Sequence, residues 1–339
     1  MKHKFVDPRQ MNCKPKEILG YMETDYGVRM TYKKAWRAKE KALGLLYGTD
    51  TESYAFLPTL KYMIETINPG SVLELTADRE HRFINFFMSL SPFIRGWKFC
   101  RPIIIIDATF LKNYHRGTLF TAVAMDANEQ CFPLAFGVGD YESNESWLNF
   151  LSTLNVAIRE RPRQVIVSDR NNGICNAVAK VFPNSGHGYC VHHLLGNVKN
   201  NFKGLTKSFN WKFYGAAKAY TRMEFEKYMR MIDRENIEIR QYLENEVRHE
   251  KWARCYITNT RYSIMTSNNP KSMNAMDSKA RDFPISKLID WLRERMQKWF
   301  YDRRELATAS TKVLTPKFQK RMDDSHALSN LIMVSSILM

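Results

Sequence analysis

The chain has 339 residues, of which 44% are hydrophobic and 25% are charged. This composition excludes a disordered protein and allows a substantial core. Lysine and arginine number 51 against 35 aspartates and glutamates, which leaves a net charge of +16 at pH 7. Such an excess favours a polyanionic partner, because each phosphate that a cation neutralises releases counterions.

Neither a membrane span nor a secretory signal is expected. No stretch reaches the roughly 18 apolar residues that a membrane-spanning helix requires. The N-terminal residues 1–17 are polar and basic and contain no apolar run. The six cysteines form no CxxC pair, which favours reduced thiols in an intracellular protein.

The first 70 residues predict a basic helical region. Apolar residues recur at helical spacing over residues 30–47, and Gly48 supplies a stop signal. A second helix is predicted over residues 51–67, because the sequence Asn68-Pro69-Gly70 breaks the pattern. The lysines and arginines of these helices favour either a DNA contact or an ordinary solvated face.

From residue 71 the pattern changes to short strands. Strands are predicted over residues 72–75 and 83–88. A β-branched apolar run then covers residues 102–106 and ends at Asp107. Such a run is typical of a strand that is buried on both faces.

A meander and a crossover follow this buried strand. Strands are predicted over residues 118–125 and 131–138, with a turn-rich link between them. A helix is predicted over residues 142–159, because its apolar residues recur on one face. A short buried strand over residues 164–168 comes next and ends at a second carboxylate, Asp169.

Helices are predicted for most of the remaining chain, over residues 173–181, 190–202, 211–252, 270–281 and 285–307. A ribonuclease-H-like fold has this order of elements: three strands, a helix, a fourth strand and then helices. We therefore expect an α/β protein with a ribonuclease-H-like mixed-sheet core. The expected divisions are a basic helical region 1–70, the core 71–205, a helical insertion 206–265, C-terminal helices 266–310 that complete the core, and a tail 311–339.

The two strand-end aspartates are the first candidate site. In this fold the first and fourth strands lie side by side, so Asp107 and Asp169 are expected to converge. Paired carboxylates can hold two Mg²⁺ ions, which activate water and stabilise the leaving oxygen in phosphodiester cleavage. The alternative is that each aspartate only begins a turn or caps a helix.

A series of motifs, in order, resembles the Mutator-like (MULE) transposase domain of plant MuDR-type elements. The likeness runs from about residue 32 to residue 304 and is strongest over residues 102–202. Its motifs are Asp107-Ala108-Thr109-Phe110-Leu111-Lys112, Ala122-Val123-Ala124-Met125-Asp126-Ala127-Asn128, Phe132-Pro133-Leu134-Ala135-Phe136, Glu145-Ser146-Trp147, Ser168-Asp169-Arg170, Gly173-Ile174, Ala177-Val178, Phe182-Pro183 and Tyr189-Cys190-Val191-His192-His193-Leu194.

The resemblance implies a DDE triad that uses Mg²⁺ or Mn²⁺ to cut and join DNA strands. Its first two acids, which are also metal ligands, correspond to Asp107 and Asp169. A CxxH motif typically follows the second acid, and Cys190 with His193 matches it. Zinc is not expected at this pair, since a zinc site normally needs more ligands. Local packing near the active site is the preferred interpretation.

The third acid is where this sequence departs from the family. Members usually carry a glutamate in a segment that resembles Thr-Ser-Asn-x-x-Glu-Ser-x-Asn, and here residues 266–274 carry Lys271 at that position. Lys271 would lie in the first turn of the predicted helix 270–281, where the helix dipole favours an anion. Neither Asp277, about 120° around the helix, nor Asp282, about 16 Å along its axis, is a convincing substitute. We therefore expect impaired catalysis.

Three functions remain open at this point. The leading one is a transposase-derived protein that binds double-stranded DNA in the nucleus and is catalytically impaired. The others are an active DDE transposase that uses another acid, and a structural or interaction protein without DNA, for which a homo-oligomer is one form. The residues expected to contact DNA are Lys112, Arg116, Arg170, Lys199 and Lys203.

Overall fold

A seven-stranded mixed sheet forms the centre of the protein. The computed structural model describes residues 14–113, 116–257 and 280–329. The strands are β1 (Val72–Ala77), β2 (Phe83–Ser89), β3 (Arg101–Phe110), β4 (Thr118–Met125), β5 (Cys131–Gly139), β6 (Val165–Ser168) and β7 (Gly186–Tyr189). Their order is β1-β2-β5-β4-β3-β6-β7. The α/β class expected from the sequence is confirmed, and the topology is compatible with a ribonuclease-H-like core.

The meander and the crossover lie as the sequence predicted. Strand β4 pairs antiparallel with both β3 and β5, whereas β6 pairs parallel with β3. The side chains of Ile103, Ile104, Ile105 and Ile106 are all 0% exposed, so β3 is buried on both faces. Strand β7 was not predicted, because its four residues, Gly-His-Gly-Tyr, carry little β-propensity.

Helices cover both faces of the sheet. Helix α6 (Asn144–Ile158) approaches β5 so closely that a Cβ atom on Gly137 would lie 2.7 Å from the Phe150 ring. The neighbouring Phe136 points to the other face. There it borders a cavity together with Leu292 of the long helix α12 (Ile285–Thr308). The apolar face predicted for residues 142–159 is confirmed in α6, since its members Trp147, Phe150, Leu151, Leu154 and Ile158 are buried.

The N-terminal helices depart from prediction in two places. They are α1 (Pro15–Tyr26), α2 (Tyr32–Tyr47), α3 (Asp50–Ala55) and α4 (Leu57–Ile67), and a further short helix, α5 (Ser91–Gly96), follows β2. Helix α1 was not predicted. The single helix predicted over residues 51–67 is wrong, because Pro58 has no N–H to continue the hydrogen bonding from α3.

A second hydrophobic cluster lies after β7. Its helices are α8 (Val191–Asn201), α9 (Phe209–Lys218), α10 (Arg222–Asp233) and α11 (Ile237–Tyr242), whereas α7 (Asn172–Val181), which precedes β7, packs into the core around the sheet. The cluster's buried residues run from Val191 to Ala253 and are separate from the core around the sheet. The continuous helical stretch predicted over residues 211–252 is wrong. Thr221 and Asn236 interrupt it, since each side chain caps a new helix.

Residues 280–329, the described C-terminal part, contain two helices. The predicted helix over residues 285–307 is confirmed as α12, whereas of the helix predicted over 270–281 only residues 280–281 are described, in a 3₁₀ turn (Ala280–Asp282). Helix α13 (Pro316–Ser329) was not predicted, because none of its residues is buried and its sequence shows no apolar face. The aromatic residues Trp291, Trp299 and Phe300 of α12 pack against the core, whereas Tyr301 is 54% exposed.

Polar contacts to one carboxylate hold helix α13 against the sheet. Glu129, in the β4–β5 turn, pairs with Lys317 at 2.5 Å and with Arg321 at 3.2 Å. Arg101 of β3 pairs with the same carboxylate at 3.0 Å. The hydrogen bonds from Lys317, Arg101 and Arg321 lower the pKa of Glu129 to about 2. Because α13 buries no side chain, these charged contacts are its main attachment.

We expect Glu129→Gln to detach helix α13 without unfolding the sheet. Amide hydrogen exchange over residues 316–329 should rise about 10-fold, since each hydrogen bond to a charged group contributes about 1.5–3 kcal/mol. In the natural chain the same attachment is fully present above the carboxylate's ordinary pKa of 4.5 and is lost as the pH falls towards about 2. Glu305→Gln, on an exposed part of α12, is the matched control, and equal exchange in both variants would contradict this attachment.

Candidate functional site

The parallel pairing of β3 with β6 brings the two candidate acids together. Ile103, Ile104 and Ile105 pair with Val165, Ile166 and Val167. In the same register, the position level with Asp107 is Asp169, the first residue after β6. Level residues on paired strands point to the same face. The expected adjacency of the first and fourth strands is therefore confirmed.

The face that carries Asp107 can be assigned from the sheet register. Asp107 pairs with Thr121, and Thr121 pairs with Phe136. These three residues therefore share one face, which is the face covered by α12 rather than by α6. Both aspartates are partly exposed, so a ligand at the carboxyl end of these strands can contact them.

Local hydrogen bonds hold the second acid. The backbone N–H of Asn171 donates to Oδ1 of Asp169 at 3.0 Å. The Ser168 hydroxyl lies 2.9 Å from Nε2 of His187 on β7 and donates to the carbonyl oxygen of Asp169 at 2.7 Å. Asn171 also caps helix α7 through its side chain. The turn after β6 is thus fixed by hydrogen bonds from Ser168 before Asp169 and from Asn171 after it.

The CxxH pair lies directly beside this turn. The backbone N–H of Cys190 donates to the carbonyl oxygen of Ser168 at 2.7 Å, and the Cys190 side chain is 0% exposed. Cys190 is the N-cap of α8, and His193 lies in the first turn of that helix. The described residues contain no group of three or more His, Cys, Asp or Glu side chains that could hold a metal. Cys190 is therefore buried and hydrogen-bonded next to the second acid, and its packing role stays a prediction.

Two residues near the acids were not found from the sequence. The first is Arg281, whose Nη1 donates to Oγ1 of Thr109 at 2.6 Å. Thr109 lies two residues after Asp107 on β3 and therefore on the same face. The backbone N–H groups of Lys112 and Asn113 both donate to the carbonyl oxygen of Arg281, at 2.8 and 3.2 Å. This contact brings a cation to the acid face, and no local sequence signal predicts it.

The second is Glu142, just before α6. Its Oε1 accepts hydrogen bonds from the Trp147 indole N–H at 3.0 Å and from the Asn171 amide at 3.2 Å. Because the backbone of Asn171 binds Asp169, Glu142 is linked to the second acid through a single residue, Asn171. A carboxylate that precedes a helix is too common a feature to have identified it.

The five predicted DNA-contact residues fall into two groups. The exposed ones are Lys112 and Arg116 after β3, Lys199 on α8 and Lys203 just after it. Arg170 differs, because its Nη1 donates to the Tyr242 hydroxyl at 3.1 Å and its Nη2 lies 3.6 Å from Glu246. Its guanidinium therefore links the turn after β6 to the second hydrophobic cluster.

Of the residues considered for the position of the third acid, the structure describes only Asp282. Lys271 and Asp277 lie outside the described residues. Asp282 forms an ion pair with Lys39 of α2 at 2.9 Å, with side chains 19% and 12% exposed. This partner holds Asp282 towards the N-terminal helices, which agrees with its rejection as a substitute acid.

The residues present fit part of a magnesium site. Asp107 and Asp169 supply two partly exposed carboxylates, and Mg²⁺ usually takes one or two carboxylates from a protein and keeps several waters. The arrangement can therefore hold one hydrated divalent cation, whereas a two-metal site needs further ligands from elsewhere.

Comparison with known proteins finds a family match for part of the chain. Residues 103–197 match the family model of the MULE transposase domain. The chain contains a MULE transposase domain. This domain begins in β3 and ends in α8, so it includes Asp107, Asp169, Cys190 and His193. Lys271 lies outside the match.

Two curated plant proteins are similar to the chain at low identity. Protein FAR-RED IMPAIRED RESPONSE 1 of Arabidopsis thaliana is 22% identical over 223 residues, which cover 64% of this chain and 27% of that protein. Protein FAR1-RELATED SEQUENCE 4 of Arabidopsis thaliana is 21% identical over 152 residues, which cover 45% of this chain and 21% of that protein. The chain thus spans about a quarter of the length of the curated relatives it matches. No helix in the described part of the chain could cross a membrane.

Proposed function

We propose that this transposase-derived chain binds double-stranded DNA in the nucleus and is impaired in DNA cleavage. The observation that carries the proposal is the register of β3 and β6, which aligns Asp107 with Asp169 inside a MULE transposase domain. A net charge of +16 supplies the attraction to phosphate.

The proposed roles follow from the placement of each residue. Asp107 and Asp169 hold the divalent cation, while the Asn171 N–H and the Cys190–Ser168 bond keep Asp169 in position. Arg281, on the face of Asp107, contacts the phosphate that lies across the acid pair. Mg²⁺ or Mn²⁺, when bound, activates water and stabilises the leaving oxygen. Impairment follows because Lys271 brings a positive charge to the position of a metal ligand.

Salt-dependent binding tests the DNA partner. We expect the affinity for a short DNA duplex to fall linearly with log salt concentration, with a slope of about −0.9 per phosphate contact. A triple variant in which Lys112, Lys199 and Lys203 become methionine should make the slope less steep, by about 2–3 in magnitude. The matched control carries the same change at three exposed lysines elsewhere, Lys227, Lys312 and Lys320.

The two triple variants separate a specific surface from a general charge effect. Equal slopes in both would contradict this DNA-contact set and leave only nonspecific attraction. A natural chain that does not bind duplex at low salt would contradict the DNA partner itself. In that case the structural or interaction protein becomes the better interpretation.

A second candidate function is an active nuclease that uses a different third acid. Glu142 favours it, because this carboxylate binds the Asn171 side chain while the Asn171 backbone binds Asp169. If the natural chain cuts duplex DNA, Glu142→Gln should abolish the activity as completely as Asp107→Ala does. Cleavage that is unaffected by Glu142→Gln would exclude this carboxylate.

A further inference from the structure

A cavity of about 310 Å³ lies between β5 and helix α12. Cys131 and Pro133, at the beginning of β5, border it. Strands β3 and β5 both run antiparallel to β4 and therefore in the same direction. The cavity extends from there to Phe136, which lies level with Asp107 across β4, so it lies on the face of the sheet that carries Asp107 and towards the beginning of β5. Much of its wall is apolar, from Pro133, Phe136, Leu292, Met296 and Trp299.

Arg303 is the unusual residue of this cavity. Its guanidinium stacks on the Trp299 ring, 3.7 Å from the ring centroid, and its side chain is only 32% exposed. A guanidinium has five N–H donors. Within the described residues Arg303 makes no hydrogen bond, and its Nε atom is buried without a partner. The carboxylate of Asp126 lies 3.9 Å away, at the limit of an ion pair.

This cation is therefore held half-buried without full compensation. Burial lowers the pKa of the Arg303 guanidinium despite the opposing effect of Asp126. A partly buried charge without hydrogen bonds lowers stability unless something binds it. Trp299 nevertheless holds the guanidinium beside the cavity, since the guanidinium lies 3.7 Å from the ring centroid and both residues border the cavity.

The charges around the cavity add to the effect of Arg303. Arg295 and Lys298 also border it, whereas the bordering carboxylate, Asp302, already pairs with Lys298 at 3.2 Å. Three cations against Asp302 and the nearby Asp126 leave an excess of one positive charge at this concave surface. Arginine binds phosphate and carboxylate groups in bidentate fashion, with hydrogen bonds about twice as strong as neutral ones.

We propose that this cavity is an anion site for a small ligand that carries a phosphate or carboxylate head on an apolar body. The head binds the Arg303 guanidinium and is attracted by Lys298 and Arg295. The body packs against the apolar wall formed by Phe136, Leu292 and Met296. This site does not depend on whether Asp107 and Asp169 bind or cut DNA, because no residue that borders the cavity belongs to the acid pair or to the predicted DNA-contact set.

Isothermal titration with phenyl phosphate tests the site. The full chain should bind phenyl phosphate at millimolar concentration or below, more tightly than it binds inorganic phosphate or benzyl alcohol. Arg303→Met should weaken the affinity by about 10- to 100-fold, since it removes charge-assisted hydrogen bonds. Arg303→Lys should give an intermediate loss, because it keeps the charge and removes the planar donor pair. Arg304→Met, at the neighbouring and exposed arginine, is the control and should bind as the natural chain does.

Thermal unfolding separates loss of the site from loss of the fold. Arg303→Met removes an uncompensated charge, so its Tm without ligand should equal or exceed that of the natural chain. Phenyl phosphate should raise the Tm of the natural chain and of Arg304→Met but not that of Arg303→Met. Equal binding by Arg303→Met and the natural chain, or no binding by the folded natural chain, would overturn the proposal.

Competition identifies the source of the anion. If a short DNA duplex displaces phenyl phosphate, the head group is a DNA phosphate and the cavity extends the nucleic-acid surface. If the duplex binds without displacing it, the ligand is a separate small molecule. Both results retain the anion site, and neither depends on cleavage at Asp107.

Discussion

Lys271→Glu is expected to give the chain a divalent-metal-dependent cleavage activity on duplex DNA that the natural sequence lacks. The substitution replaces a cation by a metal-binding carboxylate at the position where the family carries its third acid. The gain should exceed about 100-fold over background, because losses at residues that merely support metal ligands already reach about 10- to 100-fold. The measurement is the rate of strand cleavage in Mg²⁺ and in Mn²⁺.

The double variant Lys271→Glu with Asp107→Ala is the decisive control. Cleavage by the single variant should disappear in the double variant, because Asp107 is the proposed first metal ligand. Lys271→Gln, which removes the charge without adding a carboxylate, should leave the chain inactive. If the natural chain already cuts in an Asp107-dependent way, the proposal of impaired catalysis is wrong and another acid completes the site.

Trp147→Ala is expected to destabilise the protein by about 3–5 kcal/mol, the usual cost of a large-to-small change at a buried aromatic residue. Trp147 is 0% exposed, and its ring lies 4.9 Å from Phe120 in an edge-to-face contact. Its indole N–H also donates to Glu142 at 3.0 Å. Denaturant unfolding should show this loss as a lower midpoint with an unchanged slope.

Two other tryptophan variants separate packing from the polar contact. Trp147→Phe keeps most of the ring contact and removes the hydrogen bond to Glu142, so its loss should be smaller than that of Trp147→Ala. Trp211→Ala should cost less than about 0.5–1 kcal/mol, because Trp211 on α9 is 51% exposed. A cost for Trp147→Ala that is as small as the cost expected for Trp211→Ala would show that α6 does not anchor the sheet.

The sequence predicted the core of the fold because its signals there are local. The run Ile103–Ile106 could be identified as a buried strand from residue type alone. Asp107, which lies inside β3 because the strand continues to Phe110, and Asp169, just after β6, each follow such a run. Their alignment could be expected once the order of elements suggested which strands pair. Helix α6 was predictable for the same reason, since its apolar residues repeat at helical spacing.

Elements without a strong pattern were missed. Strand β7 consists of Gly-His-Gly-Tyr and is held by its pairing with β6. Helix α13 buries no side chain and is fixed by the Glu129 carboxylate of a distant turn. Both depend on partners that are remote in the sequence, and neither residue type nor periodicity reveals such partners.

The sequence by itself determined the charge, the α/β class, the two candidate acids and the substitution at Lys271. Only the tertiary structure decided which side chains join those acids. Arg281 reaches Thr109 across 172 residues, and the Arg170 guanidinium binds Tyr242 of the second hydrophobic cluster, although the sequence suggested a contact to phosphate. The half-buried guanidinium of Arg303, beside the cavity between α12 and β5, could be found only from the packing of these two elements. Periodicity and residue type specify which face of an element is buried, whereas chain packing specifies which elements meet and which charges remain without a partner.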